Sequence, residues 1–220
     1  MIVTIDGPAG SGKSSAAKGL ARRLGFHLLD TGAMYRAVAL DCLRRNIDLA
    51  DREAVAEVTR NANIVAEDGR VLLNGEDVSQ AIREPAVSEA ASQVASQPAV
   101  RSQLVTRQRE LGVGSNLVTE GRDQGTVVFP DAECKFYVVA HPEERAARRH
   151  QELVDQGQRH SVEEILQQIL ERDQRDASRE IAPLKKAEDA IEIDTSTMPP
   201  EAVLDLMERT VRERQRSVKG

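Results

Sequence analysis

Tryptophan is absent from the 220 residues, and aromatic side chains make up only 2% of them: Phe26, Tyr35, Phe129, Phe136 and Tyr137. Proteins that bind single-stranded nucleic acids stack bases on aromatic rings, so such a platform is hard to assemble here and base recognition must rest on hydrogen bonds. Cysteine is nearly as scarce. Cys42 and Cys134 lie far apart and form no C-x-x-C pair, which argues against a disulfide framework or a thiolate zinc site and fits a reducing cytoplasm. His27, His141, His150 and His160 show no metal-ligand spacing and read as structural or surface residues. No apolar run approaches a membrane span, and no basic segment leads into an apolar one at the start, so membrane insertion and secretion are not expected. Positive charge is not in excess either: the net charge is −6. That disfavours a nucleic-acid polymer or an anionic membrane as partner, while local arginines can still hold a small anion.

What is present is enough apolar content, 40%, to bury one core, and a phosphate-binding signature at the start. Gly7-Pro8-Ala9-Gly10-Ser11-Gly12-Lys13-Ser14 fits G-x-x-x-x-G-K-[ST]. Glycines at this spacing let backbone N–H groups turn inward around the α- and β-phosphates, Lys13 adds a point charge for the β/γ oxygens, and the Ser14 hydroxyl is placed for Mg²⁺. The apolar, β-branched Ile2, Val3 and Ile5 precede the loop, and a helix-forming stretch from Ser14 to Leu24 follows it, with Gly25 as its terminator.

Further strands are expected at His27–Asp30, Leu117–Thr119, Cys134–Ala140 and Ala190–Asp194, alternating with helices. Helices are expected from Asp30 or Thr31 to about Arg45, from Asp51, over Val87–Ala95 and Ala99–Leu111, over Glu143 to about Val154, from the capping box Ser161-Val-Glu-Glu164, and from Pro200 to about Arg214. Asp68-Gly69 between two apolar runs predicts an inserted hairpin over Ile64–Gly75. The expected fold is therefore an α/β three-layer sandwich around a five-stranded parallel sheet. Right-handed crossovers bring the Gly7 loop, Asp30-Thr31 and Gly121-Arg122-Asp123 to one sheet edge, where ligands bind in such folds.

A phosphate-binding loop does not say where the phosphoryl group goes, so arginines become the focus: Arg36, Arg101, Arg122 and the run Arg172-Asp-Gln-Arg-Asp-Ala-Ser-Arg179. Arg172, Asp176 and Arg179 share one helical face, and two guanidiniums flanking a carboxylate can grip a phosphate and a sugar hydroxyl together. From spacing alone the favoured reading of that run is a solvated, salt-bridged surface, with Glu171 pairing Arg175. Arg122 and Asp123, beside glycines at the predicted sheet edge, read as functional. For the metal, Asp6, Asp30 and Glu120 are all placed to assist Ser14.

Together, Gly7–Ser14, Leu28-Leu-Asp-Thr-Gly-Ala-Met-Tyr-Arg36, Ala90–Ala95, Val100-Arg101, Gly121-Arg-Asp-Gln-Gly-Thr-Val-Val-Phe-Pro-Asp131, Glu171–Asp176 and Ala182-Pro-Leu184 resemble the bacterial cytidylate kinases over nearly the whole chain. The resemblance implies a P-loop kinase, transferring a phosphoryl group from Mg·ATP to CMP or dCMP. It implies one kinase domain over residues 1–220, with a core (1–30, 96–142 and 160–220), a CMP-binding region carrying the hairpin insert (31–95) and a lid (143–159). ATP is expected on residues Gly7 to Ser14, Ser15, Arg148 and Arg149. The resemblance places Ser92, Arg101 and Asp123 at the cytosine, Arg172 and Asp176 at the sugar, Arg36, Arg122 and Arg179 at the phosphate, and Thr31 in the same CMP site. Lys13, Arg122 and Arg179 carry the chemistry, and the protein is expected to be a monomer. The competing readings are a kinase for UMP or AMP and a slow P-loop nucleotide switch. Against the switch, the chain contains no Asn-Lys-x-Asp motif and more arginines than a lone nucleotide needs.

Overall fold

A computed structural model of the chain describes residues 1–67, 69–155 and 157–217. In chain order these form β1 (Ile2–Asp6), α1 (Lys13–Leu24), β2 (His27–Asp30), α2 (Thr31–Arg44), α3 (Arg52–Asn61), β3 (Ile64–Glu67), β4 (Arg70–Leu73) and β5 (Glu76–Asp77). They continue with α4 (Pro85–Val94), α5 (Pro98–Gly112), β6 (Leu117–Gly121), β7 (Cys134–Val139), α6 (Pro142–Asp155), α7 (Val162–Ala177), β8 (Ile191–Asp194) and α8 (Pro200–Ser217). Strand order in the central sheet is β2-β6-β1-β7-β8, all parallel, as expected from the alternation of strands and helices.

Local chemistry sets the element ends. Gly25 stands at φ 68° and donates its N–H to Ala21, closing α1. Asp30 and Asp51 accept from Ala33 and Ala54 to cap α2 and α3, and Ser161 with Glu164 forms the full capping box of α7. Strand alternation divides the core. Val3, Ile5, Val118, Phe136, Val138 and Ile193 pack against α1 and α8, while a second cluster joins Leu29 and Leu117 to α2, α3, α4, α5 and the insert. Helices α6 and α7 carry a small apolar cluster of their own, Ala146, Leu153, Ile165 and Ile169.

Two features go beyond the sequence reading. The insert has three antiparallel strands, because Asn74 and Gly75, both at positive φ (52° and 88°), form a tight turn that pairs β4 with β5. Of the expected turn at Asp68-Gly69, Asp68 lies outside the described residues. After β6 the chain winds through a π-helical turn at Gln124–Val128, not a simple strand-end loop.

Candidate active site

The phosphate loop occupies the C-terminal end of β1. Gly7 is required by close approach, since a Cβ there would lie 2.1 Å from the Val138 carbonyl oxygen. Lys13 is buried; its Nζ donates to the Pro8 carbonyl at 3.3 Å and lies 3.8 Å from Glu120 Oε2. The Ser14 hydroxyl donates to the other Glu120 oxygen at 2.7 Å. Burial, reinforced by the nearby Arg122 charge, pushes the Lys13 ammonium down to about 7 against the opposing pull of Glu120. Burial and then Asp30 hold the Glu120 carboxyl above its usual range. The Ser11 hydroxyl is buried without a partner, and Ser15 is exposed at the start of α1.

The loop is braced by two residues whose place here the sequence does not reveal. Arg145, buried, donates to the carbonyls of Ala9 and Ala140, both at 3.0 Å, and to Asp173 at 2.6 Å; a Cβ on Gly10 would touch its side chain. Thr195, just past β8, donates its hydroxyl to the Ser11 carbonyl at 2.9 Å. Arg148 donates to the Thr195 carbonyl at 2.5 Å, which holds its guanidinium 3.9 Å from a Cβ built on Gly12. The structure does not bring Arg149 to the loop: it pairs with Glu152 at 3.0 Å on the open side of α6.

Across the sheet edge, arginines and carboxylates are interleaved. Asp176 accepts from Arg122 at 2.8 Å through one oxygen and from Arg179 at 2.5 Å through the other. Arg36 donates to Asp30 at 2.9 Å and keeps a buried, unpartnered Nε. Arg172 also has a buried Nε without a partner, and burial followed by repulsion from Arg122 lowers its pKa to about 10. Arg172 and Asp176 therefore turn inward on one face of α7; the expected single helical face does not extend to Arg179, because the helix ends at Ala177 and Arg179 reaches Asp176 from just beyond its C-cap Ser178. The expected Glu171–Arg175 ion pair does not form; Arg175 Nε reaches the Glu171 carbonyl at 3.4 Å while the Glu171 carboxylate accepts from Gln167. Glu120, near the end of β6, faces Lys13 and Ser14, and Arg122 follows it by two residues, so the donor loop and the arginine cluster meet at the end of this strand.

Beside the cluster, Arg101 and Asp123 form a close buried ion pair, with the Arg101 guanidinium 5.8 Å from the Tyr35 ring centre. Burial raises the Asp123 carboxyl, and the Arg101 charge opposes the rise. The Ser92 hydroxyl is buried without a partner, on a cleft of about 500 Å³ that Arg52, Arg175 and Arg179 also line. Thr31 turns away from the open site, donating to the Glu120 carbonyl at 2.7 Å.

The three acidic residues near the loop are now distinguishable. Asp6 spends both oxygens on backbone N–H groups, and Asp30 is committed to the α2 cap and Arg36, whereas Glu120 faces Ser14. A hydroxyl beside a carboxylate at a phosphate loop fits Mg²⁺, a hard cation that takes few protein oxygens and keeps several waters.

Among solved structures, a protein from Eubacterium ventriosum aligns over 96% of this chain and 98% of its own at 13% identity with a TM-score of 0.55. A gluconokinase from Sinorhizobium meliloti covers 98% and 94% at 15% identity with a TM-score of 0.50. These two likenesses concern the fold. Sequence relatives go further. A cytidylate kinase of Geobacter sp. (strain M21) is 50% identical over 218 residues, 97% of this chain and 94% of the relative. One from Caldanaerobacter subterraneus is 47% identical over 211 residues, 96% and 94% of the two chains. With the cytidylate kinase family model also matching residues 3–213, the chain belongs to the cytidylate kinase family, whose members are phosphotransferases.

Proposed function

We propose that the chain transfers the γ-phosphoryl group of Mg·ATP in line to the phosphate of CMP or dCMP, giving ADP and CDP or dCDP. The observation that carries this reading is the meeting, at the end of β6, of the phosphate-loop residues Lys13 and Ser14 on Glu120 with Arg122, which shares Asp176 with Arg179, and with Arg36 on Asp30 beside them. An anionic acceptor phosphate needs no strong general base, so the protein's work is positioning and charge neutralisation. Lys13 and the backbone of Gly7–Gly12 hold the donor; Arg36, Arg122 and Arg179 hold the acceptor phosphate; Arg172 and Asp176 orient the sugar. Ser14 and Glu120 would hold Mg²⁺, which would supply charge neutralisation for the phosphates of the donor. Arg148, tethered to Thr195, is the lid arginine that faces Gly12 of the donor loop, and α6 with its neighbouring lid residues closes over the site to exclude water.

Cytosine offers an amino donor at N4 and acceptors at N3 and O2, which complement the Asp123 carboxylate and the Arg101 guanidinium, with Ser92 supplying a third polar group. Uracil would set a carbonyl oxygen against Asp123, a mismatch costing about 1–3 kcal/mol, or roughly ten- to a hundredfold in selectivity. That complementarity, like the family, leaves a UMP or AMP kinase unfavoured. The reading includes a cytoplasmic enzyme acting as a monomer; Cys42 and Cys134, both buried and free, fit the reducing compartment. Coupled ADP release with CMP, dCMP, UMP, AMP and GMP tests the reading: CMP and dCMP should be the best acceptors, and equal turnover without any acceptor or a preference for AMP would overturn it.

A further inference from the structure

Strand β1 does two jobs with alternate residues. Val3 and Ile5 enter the core beneath α1 and α8, while Thr4 and Asp6, both buried, face the π-helical turn after β6. The Asp6 carboxylate accepts from the N–H of Gln124 at 2.9 Å through one oxygen and from the N–H of Gly125 at 2.8 Å through the other. A Cβ on Gly125 would lie 2.9 Å from the Thr4 hydroxyl, so the turn sits directly on the strand. Gln124 is pinned again by its side chain, which accepts from Thr119 at 2.9 Å. Asp123, the residue proposed to face the cytosine, immediately precedes these two clamped amides, and Arg122 precedes it.

We infer that Asp6 is a positioning residue for acceptor recognition: its two-oxygen clamp on Gln124 and Gly125 fixes the Arg122-Asp123 segment in reading position before CMP binds. Its place immediately before Gly7 suggests a phosphate-loop or metal role, but both oxygens already serve the acceptor side. The inference rests on the reading of Asp123 as the base-recognising carboxylate. Replacing one oxygen by an amide nitrogen turns a donor toward a backbone donor and must shift the loop. A misplacement of about 1 Å is enough to cost on the order of a hundredfold in rate.

Asp6→Asn should raise the KM for CMP and lower the CMP-to-UMP ratio of kcat/KM by roughly tenfold each, with the KM for ATP within about twofold of wild type. A buried-core variant remote from the site, Met207→Ala, should lower Tm without moving that ratio, which separates positioning from general stability. Unchanged selectivity in Asp6→Asn, or a loss confined to ATP, overturns the inference. Asp123→Ala measured alongside separates the two levels: if it too keeps full selectivity, the base-reading assignment has failed; if only Asp6→Asn keeps it, the clamp alone has failed. Should Asp6→Asn not fold, amide exchange in the ligand-free wild-type protein decides. Gln124 and Gly125 should exchange as slowly as the β1–β6 ladder, and rapid exchange at both contradicts a preformed clamp.

Discussion

The donor and acceptor halves of the site are built by opposite means. The donor half is one contiguous loop, Gly7–Ser14, whose binding groups are mostly backbone N–H groups and whose single cation, Lys13, is buried with only a distant counter-charge, Glu120 at 3.8 Å. The acceptor half is gathered from α2, α4, α5, the turn after β6 and the end of α7, and four of its guanidiniums are already paired in the free protein, Arg36 with Asp30, Arg101 with Asp123, and Arg122 and Arg179 with Asp176, while Arg172 keeps a buried Nε without a partner. A contiguous loop can read only what every nucleoside triphosphate shares. Reading one base requires residues that converge from several elements, and prior pairing keeps their charges compensated until the substrate arrives.

Substitutions in the two halves should have different kinetic signatures. Lys13→Ala should cost the most, on the order of a thousandfold or more in kcat with a much smaller change in the KM for CMP, because its charge acts where the transferring group passes. Steady-state kinetics with both substrates varied would check this, and a loss confined to the CMP KM would move Lys13 to the acceptor half. Asp123→Ala should lower the CMP-to-UMP ratio of kcat/KM roughly ten- to a hundredfold while leaving the KM for ATP unchanged. An intact ratio removes Asp123 from base recognition.

The smallest effect is a proton count. With Lys13 held near pKa 7 in the free protein, a triphosphate at its Nζ restores the missing counter-charge and raises that value, so ATP binding at pH 8 should take up as much as about one proton. Calorimetry in buffers of different ionisation heat reads this directly, and proton release contradicts it. The same shift carries a sign for stability. The folded protein binds fewer protons than the unfolded chain between about pH 7 and the ordinary lysine value of 10.5, so the cost of burying this ammonium is relieved, and stability rises, as pH climbs through that window.

The same contrast governs what could be read from the sequence. The donor loop, the five parallel strands and the capped helices follow from local patterns, and even the missed strand β5 had a visible sign in Asn74-Gly75. The acceptor half was legible only in part, because its decisive contacts are remote in sequence. Asp176 meets Arg122 across 54 positions, and Asp6 meets Gln124 across 118. Spacing puts Arg172 and Asp176 on one face of α7, but only the partner Arg122 decides that the face is buried rather than solvated, and Arg179 joins them from past the helix end. Arg145 illustrates the converse: in a run of charged residues nothing distinguishes it from Arg149, yet one braces the phosphate loop and the other pairs with Glu152. Likewise, Thr195 follows a strand without any motif to mark it, and its bond to Ser11 spans 184 positions.

If both halves meet on one phosphoryl group, a crystal structure with ADP, CMP and a planar fluoride mimic of that group will show them around it. Lys13, Arg122 and Arg179 should all lie within hydrogen-bond distance of the mimic or of the phosphate oxygens flanking it, with the cytosine against Asp123 and Arg101. A CMP phosphate held instead by Arg52 and Arg175 at the outer cleft, with Lys13 remote from it, would contradict the account.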